Sequence, residues 1–225
     1  MKQLVIASLL ALSLASVAQA GVIHDIRTGV IPEGSVVEIV GAVVTAVQNS
    51  SFTMTELPAG PYTAIWVYVG AVPAVAIGDL VDVKGLTRDF NGRAEINLLY
   101  PGDAHATIRG ASPVPDFQLT TTRLQADPEA WESHVVTITD GLIVQELLPA
   151  GMWRASSVET GREVIFDDYF YDYATVDLGD CYNNAYGMYQ WFGGLWIFKV
   201  FTTADTDCTV ANQSLSFGAV KALYR

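Results

Sequence analysis

Residues 75–85 read Val-Ala-Ile-Gly-Asp-Leu-Val-Asp-Val-Lys-Gly, and residues 176–187 read Val-Asp-Leu-Gly-Asp-Cys-Tyr-Asn-Asn-Ala-Tyr-Gly. Both fit Val-x-x-Gly-Asp, then five or six residues, then Gly. A β-rich stretch precedes and follows each copy. A repeat of about a hundred residues means two similar domains, because solenoid units recur every 20–50 residues.

Around the first copy the dominant period is two. Val36, Glu38 and Val40 alternate with Val37 and Ile39, and the run continues through Gly41-Ala-Val-Val-Thr-Ala-Val47, which reads as a strand. Gln48 to Ser51 is a turn signal. Phe52 to Glu56 alternates again, and Leu57-Pro-Ala-Gly-Pro61 breaks it. Ala64 to Val69 is a third strand, with Trp66 and Tyr68 on one face and Ile65, Val67 and Val69 on the other. Asp79 to Thr87 is a fourth, Asp89-Phe-Asn-Gly92 a hairpin turn, and Arg93 to Tyr100 a fifth. Five strands with a long connection between the third and fourth match a five-stranded Greek-key barrel, the OB-fold. Gly41 and Gly85 suit points where a coiled strand bends or backbones approach closely.

The plan repeats after a Pro-rich joint, Ala111-Ser-Pro-Val-Pro-Asp116, and a short helix within Thr120–Trp131. Strands are expected over 134–146, 152–158, 163–167, 180–190 and 195–203. The fold class is therefore all-β: two consecutive OB-like barrels with at most short helices. The boundaries are a signal peptide over 1–20, a first barrel over 21–110 and a linker with a short helix over 111–130. A second barrel over 131–210 and a tail over 211–225 complete the chain.

Met1-Lys2-Gln3, an apolar run to Val17 and Ala18-Gln19-Ala20 form a positive start, a hydrophobic core and a small-residue cleavage site. Gly21 rather than Cys follows, so no lipoprotein anchor is expected. No later stretch is long and apolar enough to cross a bilayer. The expectation is a secreted or periplasmic protein. Residues 1–20 hold Lys2 and no acidic residue, so without them 11 basic residues face 24 acidic ones, a net charge of −13. Such an acidic protein repels phosphate backbones, and generic DNA binding is disfavoured unless cations or a local basic patch intervene. An oxidising compartment makes a Cys181–Cys208 disulfide the default reading, with two buried thiols as the alternative. Closing that loop would stabilise by roughly 3–4 kcal/mol on the chain-entropy model.

Val22-Ile-His-Asp-Ile-Arg-Thr-Gly29, Gly41-Ala-Val-Val-Thr-Ala-Val47 and Ala71 through Gly85 together resemble a known module. It is the OB-type domain beside the catalytic domain in secreted bacterial nucleases of the endonuclease/exonuclease/phosphatase group. The resemblance covers roughly residues 22–100. The chain ends at Arg225 without room for a catalytic domain, so the resemblance implies an accessory module and carries over no catalytic residue. The ending Ser216 to Arg225 looks like tails on other secreted bacterial proteins, for sorting or docking, or else packs on the barrel as an amphipathic segment.

His24, His105 and His134 share no metal or catalytic spacing and are expected at surfaces or strand edges. Phe166-Asp-Asp-Tyr-Phe-Tyr-Asp-Tyr173 with Asp177 and Asp180 is acidic enough to be weighed for calcium, but lacks EF-hand spacing. No cofactor is expected. The aromatics carry the binding reading. OB-folds bind on the face of their second and third strands and through the loops after strands one and four. That surface would present Phe52, Trp66, Tyr68 and Phe90 in the first copy. In the second it would present Trp153, Tyr169, Tyr171, Tyr189 and Trp191, with Trp191 at a hairpin tip and the most exposed. Barrel cores also need large side chains, so core placement competes at every one of these positions. The resulting expectation is a non-catalytic binding module for an oligosaccharide or single-stranded nucleic acid, the acidic charge favouring a neutral polymer. The alternatives are an assembly protein docking other secreted proteins, and a hydrolase of unrecognised type.

Overall fold

In the opening strand, alternation sorts the two faces: Val37 and Ile39 are buried while Val36, Glu38 and Val40 are exposed. The structure, a computed structural model, describes residues 21–169 and 176–204. The first barrel is built from β1 (Val36–Val47), β2 (Ser51–Thr55), β3 (Ala64–Tyr68), β4 (Asp79–Phe90) and β5 (Arg93–Asn97). Their order is β1-β2-β3-β5-β4, and β4 pairs back onto β1 to close the ring. β3 and β5 run parallel while the other neighbours are antiparallel. This is the closed five-stranded Greek-key arrangement of an OB-fold. β6 (His105–Ala111), which the sequence pattern does not single out, adds to β4.

Helix α1 (Val22–Arg27) is also beyond the pattern, since six residues carry too little periodicity. Its Ile23 and Ile26 join the first core. Glu56 anchors its start by accepting a hydrogen bond from the Ile23 N–H at 2.9 Å, and burial raises the pKa of that carboxylate.

The second barrel uses β7 (Phe117–Leu119), α2 (Thr121–Ala126), β8 (Val135–Ile138) and β9 (Leu142–Leu147). It continues with β10 (Met152–Ser157), β11 (Glu163–Asp167), β12 (Cys181–Tyr182), β13 (Asn184–Phe192) and β14 (Leu195–Ala204). The expected single strand over 134–146 is interrupted at Thr139-Asp140-Gly141. There the buried Asp140 carboxylate turns away to accept hydrogen bonds from the Thr121 N–H, at 3.0 Å, and hydroxyl. The interrupted fourth strand follows it: β12 pairs with β9 and β13 with β8. Counting each interrupted pair as one strand, the ring has the order of the first barrel, again with its third and fifth members, β11 and β14, parallel. The stretch over 111–130 is more than a tether, because Leu119 and Leu124 are fully enclosed in the second core.

The repeated motif is one structure used twice. Gly78 and Gly179 sit at φ +91° and +89°, the left-handed position of a type II turn. In each turn the following Asp closes the loop. The Asp79 N–H donates to the Ala76 carbonyl at 3.0 Å, and the Asp79 carboxylate accepts from the Ala76 N–H at 2.7 Å. Asp180 makes the same two bonds with Asp177, at 3.1 and 2.9 Å. The terminal glycines of the motif serve close approach. A Cβ on Gly85 would lie 2.5 Å from Ile96 Cγ2 and 2.9 Å from the Asn97 carbonyl oxygen. A Cβ on Gly187 would lie 2.3 Å from the Lys199 carbonyl oxygen.

The two barrels share a seam. Arg27 of α1 forms a fully buried ion pair with Glu132 at the start of the second barrel and reaches Glu129 at 3.1 Å. The Tyr62 N–H donates to the Ala130 carbonyl at 2.8 Å, and the Tyr62 hydroxyl donates to Asp127. Removing one partner of a buried pair such as Arg27–Glu132 costs about 3–5 kcal/mol, so this contact fixes how the barrels meet. His134, expected at an edge, is instead fully buried beside it, edge-on to Phe117 and Trp131. Burial, with Arg27 adding to it, pushes its pKa down to about 3, so it stays neutral.

The motif glycines make a direct stability prediction. Gly187→Ala and Gly85→Ala each force a methyl against backbone or an enclosed side chain and should cost about 1–3 kcal/mol in urea unfolding. Gly102→Ala, with nothing within 4 Å of the added atom, should stay within about 0.5 kcal/mol of the parent. Equal stability of all three would contradict the close-approach role.

Candidate functional site

On the first barrel the outer face of β2, β3 and β5 carries Ser51, Thr53 and Thr55, then Trp66 and Tyr68, then Arg93, Glu95 and Asn97, set by register and strand parity. The inward parity carries Phe52, Met54, Ile65, Val67 and Ile96. Most of the outer face is also buried, because the second barrel lies over it. Where that cover is incomplete, a cleft of about 470 Å³ opens between the barrels, within the size range of small-molecule sites. From the first barrel it takes Gln48 and Ser50 of the β1–β2 loop, Trp66 and Tyr68 of β3, and Arg88, Phe90, Arg93 and Glu95 of β4 and β5. From the second it takes Asp167, Tyr169, Gln190, Phe192 and Lys199.

The cleft has a polar floor and an aromatic rim. On the floor the Arg93 guanidinium lies 4.2 Å from the centre of the Trp66 ring, and Arg93 donates to Glu95 at 3.1 Å. Arg88 donates to the other Glu95 oxygen at 2.7 Å. One enclosed carboxylate thus holds two guanidinium groups. Lys199 comes from the opposite barrel, its ammonium 4.0 Å from the centre of the Tyr169 ring. Burial lowers the Lys199 pKa to about 8, Asp167 works against that shift, and Arg93 adds to it. Burial raises the Asp167 pKa, and Lys199 opposes that.

The rim rings are open to solvent: Phe90 is 40% exposed, Phe192 48% and Tyr169 65%. Phe90 and Phe192 occupy the same place in the two copies, the last residue of the fourth strand before a two-residue turn. Asn91-Gly92 and Gly193-Gly194 all have positive φ, as a type I′ turn requires.

Four of the nine aromatics expected at a ligand surface, Trp66, Tyr68, Phe90 and Tyr169, come together here. Trp66 is 4% exposed and lies under Arg93, so it supports a cation rather than offering a bare stacking face. Phe52 and Trp153 are not at a surface: each lies in its barrel core, Trp153 stacked on Phe166 at 5.5 Å. Tyr189 is also buried, stacked on Trp196 at 5.1 Å. Trp191, expected to be the most exposed, is half-buried. It packs against the first barrel's hairpin, where a Cβ on Gly92 would lie 2.7 Å from its Nε1. Tyr171 lies outside the described residues, as does Cys208, the expected partner of the buried Cys181.

Arg88, Arg93, Glu95, Gln190 and Lys199 were absent from the sequence reading. For the four charged ones the signal was charge at outward positions of hairpin strands beside aromatics, which alternation alone assigns to solvent; the neutral Gln190 gave none. For calcium, Asp177 and Asp180 are committed to the turn, and among the described residues no group of three or more His, Cys, Asp or Glu side chains is arranged to hold a metal ion. Among those residues, no helix is long and apolar enough to cross a membrane.

No protein-family model matches the chain, and no curated protein matches it. Among solved structures it is similar to the crystal structure of the p204 HINb domain, at 12% identity and a TM-score of 0.37, over 74% of this chain and 93% of that one. Two further structures match over 77% of this chain and 90% of theirs, each with a TM-score of 0.30. They are described as "Structural mimicry for functional antagonism", at 11% identity, and "Molecular basis for abrogation of activation of pro-inflammatory cytokines", at 10%.

Proposed function

We propose that this chain is an exported, non-catalytic binding protein whose ligand is a short stretch of oligosaccharide held in the inter-barrel cleft. The observation that carries this reading is the composition of the cleft: three exposed rings, Phe90, Tyr169 and Phe192, over a floor of polar side chains. Flat rings take up the apolar faces of sugars, and fixed polar groups read their hydroxyls.

A second reading, single-stranded nucleic acid, draws on the same rings and on Arg88 and Arg93, since bases stack on aromatics and arginine meets phosphate. It asks for a cationic track along the backbone. Outside the cleft, Lys84 pairs with Asp103, Arg109 with Asp82, and Arg154 with Glu146 and Glu163. A sugar therefore fits better than a chain with a phosphate at every unit.

The expected result is cleft-dependent binding in calorimetry with a panel of oligosaccharides and an eight-residue deoxythymidine oligomer. Phe90→Ala with Tyr169→Ala should weaken sugar binding at least about 30-fold, by analogy with the loss of about 1–3 kcal/mol per stacked base. Both rings are exposed, so folding should be spared. Undiminished binding in the double variant would place the ligand elsewhere.

Lys199 provides a check that needs no ligand. At neutral pH its charge is buried at a cost. Between about pH 8 and its unfolded value of 10.5 the folded protein has lost the proton while the unfolded chain retains it, so stability rises with pH through that window. Lys199→Met should therefore be more stable than the parent at pH 7, by roughly 1–3 kcal/mol, and lose most of that advantage by pH 10.5. A variant less stable at pH 7 would show that Lys199 supports the fold rather than being retained for binding.

A further inference from the structure

His134 sits where the two barrels meet, and nothing there suits a second proton on its ring. The side chain is fully enclosed, set edge-on to Phe117 at 5.2 Å and to Trp131 at 5.7 Å. Neither ring nitrogen has a hydrogen-bond partner among the described residues. The backbone around it is pinned on both sides. The Ser133 N–H donates to the Tyr189 carbonyl at 2.7 Å, the Tyr189 N–H to the His134 carbonyl at 3.2 Å, and the His134 N–H to the Trp131 carbonyl at 3.1 Å. These bonds hold the residue on the second barrel, so the ring reaches water when the first barrel, which brings α1 and Arg27 beside it, moves off.

The surrounding charges deepen the conflict. The titratable groups on the elements packed there are His24 and Arg27 of α1, Tyr62 before β3, Asp116 before β7, Asp127, Glu129 and Glu132 ahead of β8, and Tyr186 and Tyr189 of β13. The carboxylates are committed elsewhere: Glu129 and Glu132 to Arg27, Asp127 to the Tyr62 hydroxyl, and Asp116 to the Thr137 hydroxyl. Arg27 is the charge that acts on the ring, and like burial it opposes the imidazolium. A protonated His134 would therefore be a second enclosed cation beside Arg27, with Glu132 already taken. A buried charge without a partner is driven back to its neutral form or out to solvent.

We propose that the seam is an acid-sensitive joint: uptake of a proton by His134 parts the barrels and so dismantles the cleft, which draws its lining from both. In the closed protein burial, with Arg27 adding to it, pushes the imidazole pKa down to about 3 from its ordinary 6.5. Below about pH 6.5 the open state takes a proton that the closed state refuses, so closure weakens about tenfold per pH unit down to about pH 3. Above that window neither state holds the proton, and His134 adds no pH dependence.

Hydrogen exchange of the intact chain reads the joint directly, because the Tyr62 N–H donates across the seam to the Ala130 carbonyl at 2.8 Å. Between pH 6.5 and 4.5 the protection of that amide, corrected for its intrinsic exchange rate, should fall about 100-fold more in the parent than in His134→Phe, which keeps a ring and removes the proton site. At pH 4.5 the paired amides of β2 and β3 should stay protected about tenfold or more better than Tyr62, because the barrels survive their parting. An NMR titration of the His134 ring in the parent keeps the test open should the variant fail to fold: the ring should remain neutral at pH 5. Parallel exchange profiles in parent and variant, or a ring that titrates near pH 6.5 in the closed protein, would overturn the acid-sensitive joint. Equal protection of Tyr62 and the β2–β3 amides would overturn it too, by placing the acid sensitivity in the unfolding of the barrels.

Discussion

Arg93 lies over the Trp66 ring and is tied down by Glu95 at the seam between the barrels. Every chemical property of the cleft depends on that stack being covered. A desolvated cation over an indole is worth about 2 kcal/mol or more, whereas in open water it would contribute far less. The second barrel provides the cover with Gln190, Phe192 and Lys199, and the buried Arg27–Glu132 pair holds the barrels in that relation. Without the seam, the first barrel would present a hydrated Ser/Thr and arginine face. With it, the same face becomes a partly closed, low-dielectric site where one added charge is felt strongly.

Much of the fold was legible because barrel geometry demands particular residues. Gly78 and Gly179 answer a positive φ, and Gly85 and Gly187 answer a backbone too close for a Cβ. Asn91-Gly92 marks a hairpin turn by the same logic. The short elements α1, β6 and β7 escaped because their stability comes from what they dock against, which a window of six residues does not record. The break in the expected strand over 134–146 arose from Asp140 leaving the ladder to hold Thr121, a long-range bond invisible to local pattern.

The site was legible in part, for a physical reason. Alternation placed Trp66 and Tyr68 together on one side of β3, and the OB architecture pointed to that side. It could not say that Phe52 and Trp153 belong to the opposite, inward parity, because both faces of a strand under a second domain are dry. The cations escaped for the same reason: outward charge on a hairpin reads as solvated until another domain is known to cover it.

The two copies have therefore diverged in dressing while keeping one frame. The first contributes Arg88, Glu95 and Arg93, the second Lys199 and Gln190, and each contributes the phenylalanine that precedes its type I′ turn. The most direct measurement is a crystal structure of the protein with the oligosaccharide that binds it most tightly. The predicted result is a sugar ring among Phe90, Tyr169 and Phe192 in the inter-barrel cleft. A sugar bound outside the inter-barrel cleft would contradict it.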